Sequence, residues 1–313
     1  MSEHFSSQSP KTELKIAIVG DIHEQWDATG DRQALELLEV DCVLFVGDFG
    51  NEAIEIVENA AALPFPKAAI FGNHDAWYTA SDWGRKKSPY DHALEDRVQV
   101  QFDLLGNAHV GYGCLDLPSL NISVIGSRPF SWGGGKWKNK KFLSERFGVN
   151  NFDESLKLMM RRVESAQCDN VIFLGHNGPT GLGTAPEDMC GRDWDPLGGD
   201  FGDPDFEQAI TATKELGKNI SFVTFGHMHY TLRHRKDRLR TRIKHQDQIL
   251  YVNAAQVPRL KNYPNGDRHH AFTVVTLNDG QPQKSELVWV NPIQNTQECQ
   301  TLWDCHQLEF ASS

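Results

Sequence analysis

No stretch of the chain comes near the roughly 20 apolar residues that a membrane-spanning helix needs. The longest apolar run, around Ala60 to Phe71, is broken by Pro64, Pro66 and Lys67. The first residues, MSEHFSSQSPKTEL, are polar and lack the apolar core of a secretory signal. None of the six cysteines stands in a CxxC pair, so a thiolate cage or dithiol redox motif is not written here, and reduced thiols in a cytoplasm are expected. Cys299, Cys305 and His306 lie near one another in sequence, but without a fourth ligand they read as ordinary tail residues rather than a zinc clip. Positive charge is also scarce. Lys and Arg total 31 against 42 Asp and Glu, a net −11, which disfavours a general duplex binder, since such proteins displace counterions with a basic surface. What is left is an ordinary soluble globular composition, 39% hydrophobic and 23% charged, over 313 residues, enough for a large core.

One local grammar recurs five times: an apolar, β-rich run closes on glycine and is followed by a polar residue able to bind metal. The runs are IAIVG before Asp21, VLFVG before Asp48, AAIFG before Asn73, VIFLG before His176 and FVTFG before His227. Continuous apolar runs of this length suit strands buried on both faces, and helical patterns between them imply largely parallel pairing. Helices are expected over Asp31 to Val40, Asn51 to Leu63, Phe152 to Ala166 and Pro204 to Leu216. After His229, shorter alternating stretches around Tyr230 to His234, Gln248 to Asn253, Ala271 to Leu277 and Ser285 to Val290 read as antiparallel strands extending a second sheet. Residues 1–13 are expected to be a frayed tail, 14–291 a single domain and 292–313 a C-terminal extension. Two long connections, Ala76 to about Gly113 and Arg128 to Gly148, leave the same end of the strands and are expected to shape a substrate pocket.

In open α/β sheets, ligands bind beyond the carboxyl ends of the strands. The residues following the five runs, with their neighbours, are Asp21 and His23, Asp48, Asn73 with His74 and Asp75, His176, and His227 with His229. Singly, each is most simply a cap, turn or surface residue. Together they make a nitrogen and oxygen donor set without thiolate, suited to manganese, iron or zinc and poor as a calcium cage. In Asp21-x-His23 and His227-x-His229 the i, i+2 spacing puts two side chains on one side of an extended segment.

The order GDIH, GD, GNHD, GH, GHMH, from Gly20 to His229, resembles the calcineurin-like metallophosphoesterase superfamily. The resemblance implies an α/β fold in which two mixed β-sheets pack as a sandwich flanked by α-helices, with a dinuclear metal centre at one edge. It implies that Asp21, His23, Asp48 and His229 hold one divalent ion, that Asp48, Asn73, His176 and His227 hold the other, and that Asp48 bridges them. Two divalent ions about 3.5–4 Å apart generate a bridging hydroxide and clamp phosphoryl oxygens during in-line attack. His74 is similar to the family's histidine that protonates the leaving oxygen, with Asp75 expected to orient it.

The substrate is less legible. The phosphoprotein phosphatase branch carries GDxxDRG and GNHE, whereas this chain reads GDFGNE and GNHD, without that branch's phosphate-gripping arginine. A diester or nucleotide-type small-molecule substrate is therefore expected in preference to phosphoprotein. The layout also resembles cyanobacterial and plastid members of the superfamily. Arg128 is a candidate phosphate clamp with Trp132 and Trp137 as apolar walls, and Asn253 and Arg259 are candidates to line the same rim. The segment RHRKDRLRTRIK, residues 233–244, reads as a basic hairpin. A nucleic-acid-associated phosphoesterase or nuclease using that hairpin is one alternative, and a catalytically silent interaction scaffold is another.

Overall fold

The computed structural model describes residues 13–309; the expected tail lies almost wholly outside them. Side chains alternate across each strand, so the continuous apolar runs are buried twice over. In β1 (Glu13–Val19), Ile16 and Ile18 face inward between two sheets, while Ala17 and Val19 face helices. β2 (Cys42–Phe45) does the same with Leu44 against Val43 and Phe45. β3 (Lys67–Ala69) completes the parallel part of the first sheet. The second sheet is built on β4 (Cys114–Leu117), β5 (Ile122–Gly126), β6 (Asn170–Leu174) and β7 (Asn219–Phe225), with β5, β6 and β7 parallel. Ile172 and Leu174 of β6 join the inter-sheet core, and Val171 and Phe173 pack on helices. The result is the expected sandwich of two mixed sheets with helices outside.

The helices form close to where they are expected, and caps fix their ends. α1 (Ala28–Leu38) begins earlier than Asp31 because the Asp27 carboxylate accepts from Gly30 N. α2 (Ile54–Ala61) follows β2. Within the first long connection lie α3 (Asp82–Arg85) and α4 (Arg97–Leu105), and within the second lies α5 (Lys140–Phe147). α6 (Phe152–Ser165) is capped by Asn151, whose Oδ1 accepts from Glu154 N. α7 (Pro204–Glu215) opens on proline and is followed by Gly217 at φ +73°. α6 and α7 cover the outer face of the second sheet through Val163, Phe206 and Ile210.

The C-terminal third differs from expectation. Tyr230 to His234 forms no strand, and residues 233–242 form an irregular loop with an isolated Thr231–Leu239 bridge rather than a hairpin, the last two residues of the basic segment opening a strand. β8 (Ile243–Gln246) then pairs antiparallel with β9 (Ile249–Asn253), which itself runs parallel to β7. β10 (Leu260–Asn262), β11 (Arg268–Asn278) and β12 (Gln281–Asn291) belong to the first sheet, where β11 pairs antiparallel with β1. Alternation identified these strands but carried no information on which sheet they join. β13 (Thr296–Asp304) pairs with β12 along its length, so this part of the expected C-terminal extension forms the edge strand of the first sheet. A short α8 (Cys305–Glu309) closes the described chain. Among the described residues no helix is long and apolar enough to cross a membrane.

Candidate metal centre

The sandwich brings the strand ends together as the parallel order requires. Asp21 follows β1, Asp48 follows β2, Asn73 follows β3, His176 follows β6 and His227 follows β7. Three of the predicted ligands sit in the left-handed region: His23 at φ 45°, Asp48 at 52° and His227 at 65°. Such conformations cost on the order of 1 kcal/mol each for non-glycine residues and persist only where neighbours impose them. Here the restraints are visible. Ile22 N and His23 N donate to Asp48 O at 3.0 and 2.8 Å, and His227 N donates to both Asp21 carboxylate oxygens at 3.0 Å. Gly72 permits close approach at the centre, since a Cβ there would lie 2.2 Å from Asp48 Oδ1 and 2.4 Å from His176 Cε1.

The donor chemistry calls for cations. His176 Nδ1 lies 2.8 Å from Val46 O and in that contact carries the proton. Its Nε2 then faces Asn73 Oδ1 at 3.1 Å and Asp48 Oδ1 at 3.4 Å, both acceptors. On the other side, His23 Nε2 and His229 Nε2 face each other at 3.0 Å, with Asp21 Oδ2 3.1 Å from His229 Nε2. Ligand atoms of Asp21, His23 and His229 fall within 4.8 Å of one another, as do those of Asp48, His176 and His227. Burial lowers the His227 pKa to about 3, so this imidazole is neutral near pH 7 and offers a lone pair. Burial works to raise Asp21 and Asp48, but the surrounding histidines outweigh it and hold both below the usual carboxylate range. Lone pairs and two carboxylates thus converge in a buried space with too few protons, which fits two divalent cations sharing Asp48.

His74 lies at the same edge. Its ligand atom falls within 4.8 Å of those of His23 and Asp48, and its ring stacks on Trp77 at 4.5 Å and 12°. Asp75 does not orient it. The Asp75 carboxylate is fully buried and accepts from Asp48 N, Phe49 N and Gly72 N at 2.9, 2.8 and 2.7 Å, tying two strand-end loops together. The residue that meets the His74 ring is Asn51, with Oδ1 2.6 Å from Nδ1. Sequence reasoning missed this partner, although it stands in GDFGNE, three residues past Asp48.

The predicted substrate-binding residues are placed differently. Arg128 is only 3% exposed and does not reach over the rim; its guanidinium binds Asp205 Oδ2 at 3.0 Å and Asp203 Oδ1 at 2.7 Å. Asn253 is buried and donates from Nδ2 to Met228 O at 2.8 Å, clamping the His227–His229 loop onto β9 instead of lining a surface. Arg259 is buried on Asp31 and on Gln25 O, just past His23. Trp137 packs near Arg128, whereas Trp132 does line the rim. In the basic segment, Arg235 pairs with Glu187 and Asp237, Arg240 is held by Asp193 and four backbone carbonyls, and Arg242 lies over the Tyr230 ring. Near the C-terminus, Cys305 and His306 converge with Asp304, while Cys299 lies exposed on β13 and outside that group.

A cleft of ≈ 430 Å³ opens directly beside His227 and His229, walled by Trp132, Trp194 and Phe201. Trp194 and Phe201 carried no signal in the sequence, since they stand far along the loop that follows β6, away from any strand end.

The profile of the calcineurin-like phosphoesterase family matches residues 14–231, and the chain belongs to that family. Among solved structures, a purple acid phosphatase, PPD1, from yellow lupin (Lupinus luteus) seeds is similar at 14% identity and a TM-score of 0.44, with 91% of this chain and 52% of that one covered. The chain thus spans about half the length of the lupin protein. PhoD is similar at 9% identity and a TM-score of 0.47, covering 94% of this chain and 69% of that one. A predicted phosphoesterase from Streptococcus pneumoniae TIGR4 is similar at 10% identity and a TM-score of 0.33, covering 93% of this chain and 99% of that one. No curated protein matches the chain.

Two substitutions test this geometry. Gly72→Ala is expected to weaken manganese binding about 10- to 100-fold, the usual cost of disturbing the support of metal ligands, while the far-ultraviolet circular dichroism stays native; calorimetric titration with unchanged affinity would mean the ligands are not so tightly packed. Arg128→Ala leaves two buried carboxylates without their counter-charge and is expected to lower unfolding free energy by about 3–5 kcal/mol. Urea denaturation measures it, and an unaltered midpoint would show that the ion pairs do not form.

Proposed function

We propose that the protein is a dinuclear metal-dependent hydrolase of phosphate esters. The observation that carries this reading is the convergence of lone pairs from five strand ends on one buried edge, in a chain of the calcineurin-like phosphoesterase family. Asp21, His23, Asp48 and His229 would hold one divalent ion, and Asp48, Asn73, His176 and His227 the other. Bound there, such ions supply Lewis-acid polarisation of phosphoryl oxygens and a water acidic enough to ionise near neutrality. Manganese, iron and zinc suit the donors.

The chain's own residues do the rest. Asp75 and the His227 N–H contact fix Asp48 and Asp21, so the ligand set is formed before substrate arrives. His74 hands a proton to the leaving oxygen. Asn51 holds its Nδ1–H and Trp77 its face, which aims the other ring nitrogen at the rim. A diester or nucleotide-type substrate suits the site better than a phosphoprotein, because the phosphoprotein branch's arginine has no counterpart after Asp48 and Arg128 is committed elsewhere. The absence of any CxxC pair among the six cysteines fits residence in the cytoplasm.

Turnover of aryl monoesters, diesters and pyrophosphates by the manganese-loaded protein tests the reading. His74→Asn is expected to lower kcat about 10²- to 10⁴-fold with two manganese ions retained per chain; loss of an ion would make His74 a ligand instead. Asn51→Ala leaves the ring free to turn and is expected to lower kcat by about tenfold on the same assay, whereas full activity would remove Asn51 from the account.

A further inference from the structure

The metal edge accounts for one phosphoryl group, but the neighbouring cleft is built for more than that. Its floor is Met228 and Leu232, both buried, and its walls are aromatic. Trp132 comes from the long stretch after β5, and Trp194 and Phe201 come from the loop between β6 and α7. At about 430 Å³ it falls in the range of small-molecule sites.

Cations accompany the rings. Lys138 Nζ lies 5.7 Å from the Trp132 centroid and 5.9 Å from that of Phe201, and the Arg233 guanidinium lies 5.5 Å from the centroid of Trp194. Lys236 also lines the cleft. Among the described residues, none of these three cations forms an ion pair with a carboxylate. The one carboxylate in the lining, Asp193, accepts from Arg233 N at 2.8 Å and pairs with Arg240 Nη2 at 3.2 Å, so its charge is already balanced. In a chain of net charge −11, a cleft edged by unpaired cations is a departure from the average that a bound anion would balance.

We propose that this cleft is a second subsite, in which Trp132 and Trp194 receive a planar ring and Lys138 and Arg233 receive a negative charge of the same substrate. The substrate class is then a nucleotide-type ester, a ring-bearing molecule with an anionic group besides the phosphoryl that reacts. The proposal rests on the phosphoesterase reading above. Arg233 and Trp194 act as specificity residues, gripping the part of the substrate that is not transformed. Contacts of this kind hold the ground state and the transition state alike, so their loss shows in KM.

The test is equilibrium binding to the manganese-loaded protein by calorimetry, with inorganic phosphate, ribose 5-phosphate and adenosine monophosphate as probes. Adenosine monophosphate is expected to bind at least about tenfold more tightly than ribose 5-phosphate, in keeping with the strength of ring stacking on tryptophan. Trp194→Ala is expected to collapse that ratio by about tenfold, and Arg233→Ala to raise KM for a nucleotide ester while kcat holds. Equal binding of the two probes, or a ratio unmoved by Trp194→Ala, overturns the subsite while leaving ester hydrolysis intact. Failure of inorganic phosphate to bind, together with no hydrolysis of any ester, overturns the phosphoesterase reading itself. Single-stranded oligonucleotide binding that exceeds mononucleotide binding and falls steeply with salt would place a polymer there and also overturn the proposal.

Discussion

An electrostatic mismatch at one edge of the sandwich governs the arrangement of this protein. Two carboxylates, an amide oxygen and several imidazoles point at one another in a buried volume, and the backbone hydrogen bonds around them fix which atoms are left with lone pairs. Bringing such groups out of water is unfavourable unless positive charge comes with them. The left-handed backbone at His23, Asp48 and His227 points the same way, because strain of that kind is kept only where the surroundings dictate it.

The fold supplies rigidity at a distance from the centre. Ile18, Leu44, Leu174 and Val252 fill the space between the sheets, so the strand ends that carry the ligands cannot drift independently. Buried ionic networks then lock the loops. Arg259 binds Asp31 and Gln25, and so anchors the segment that follows His23, while His270 Nδ1 meets the same Asp31 carboxylate. Arg128 joins Asp203 and Asp205 at the start of α7 and braces the loop that carries Trp194 and Phe201. Asn253 ties the His227–His229 loop to its neighbouring strand. Several side chains whose charge suggested contact with substrate therefore serve as supports one layer behind it.

Much of this was legible in the sequence because the ligand grammar is local. An apolar run, a glycine and a donor residue report both a doubly buried strand and what stands at its end, which is why Asp21, Asp48, Asn73, His176 and His227 could be named together. Long-range pairing was not legible. The alternation in Ala271 to Leu277 gave a strand but not its place beside β1, and the basic run at 233–244 gave charge but not the acceptors that consume it. Asp75 and Asn51 show the same limit at smaller scale. Adjacency to His74 suggested Asp75, yet a tight turn sends that carboxylate to three backbone N–H groups and leaves the ring to a residue 23 positions earlier.

The cleft and the candidate metal edge form one continuous surface through His227 and His229, so the proposed chemistry and the proposed ring-binding subsite share a boundary. All of it depends on cations occupying the space around Asp48. Anomalous diffraction from a crystal soaked in manganese is the most direct measurement of that claim. Two peaks are expected, one beside Asp21, His23 and His229 and one beside Asn73, His176 and His227, with the Asp48 carboxylate between them. A soaked crystal with no anomalous density at this edge, or with a lone ion that Asp48 does not touch, would contradict the account.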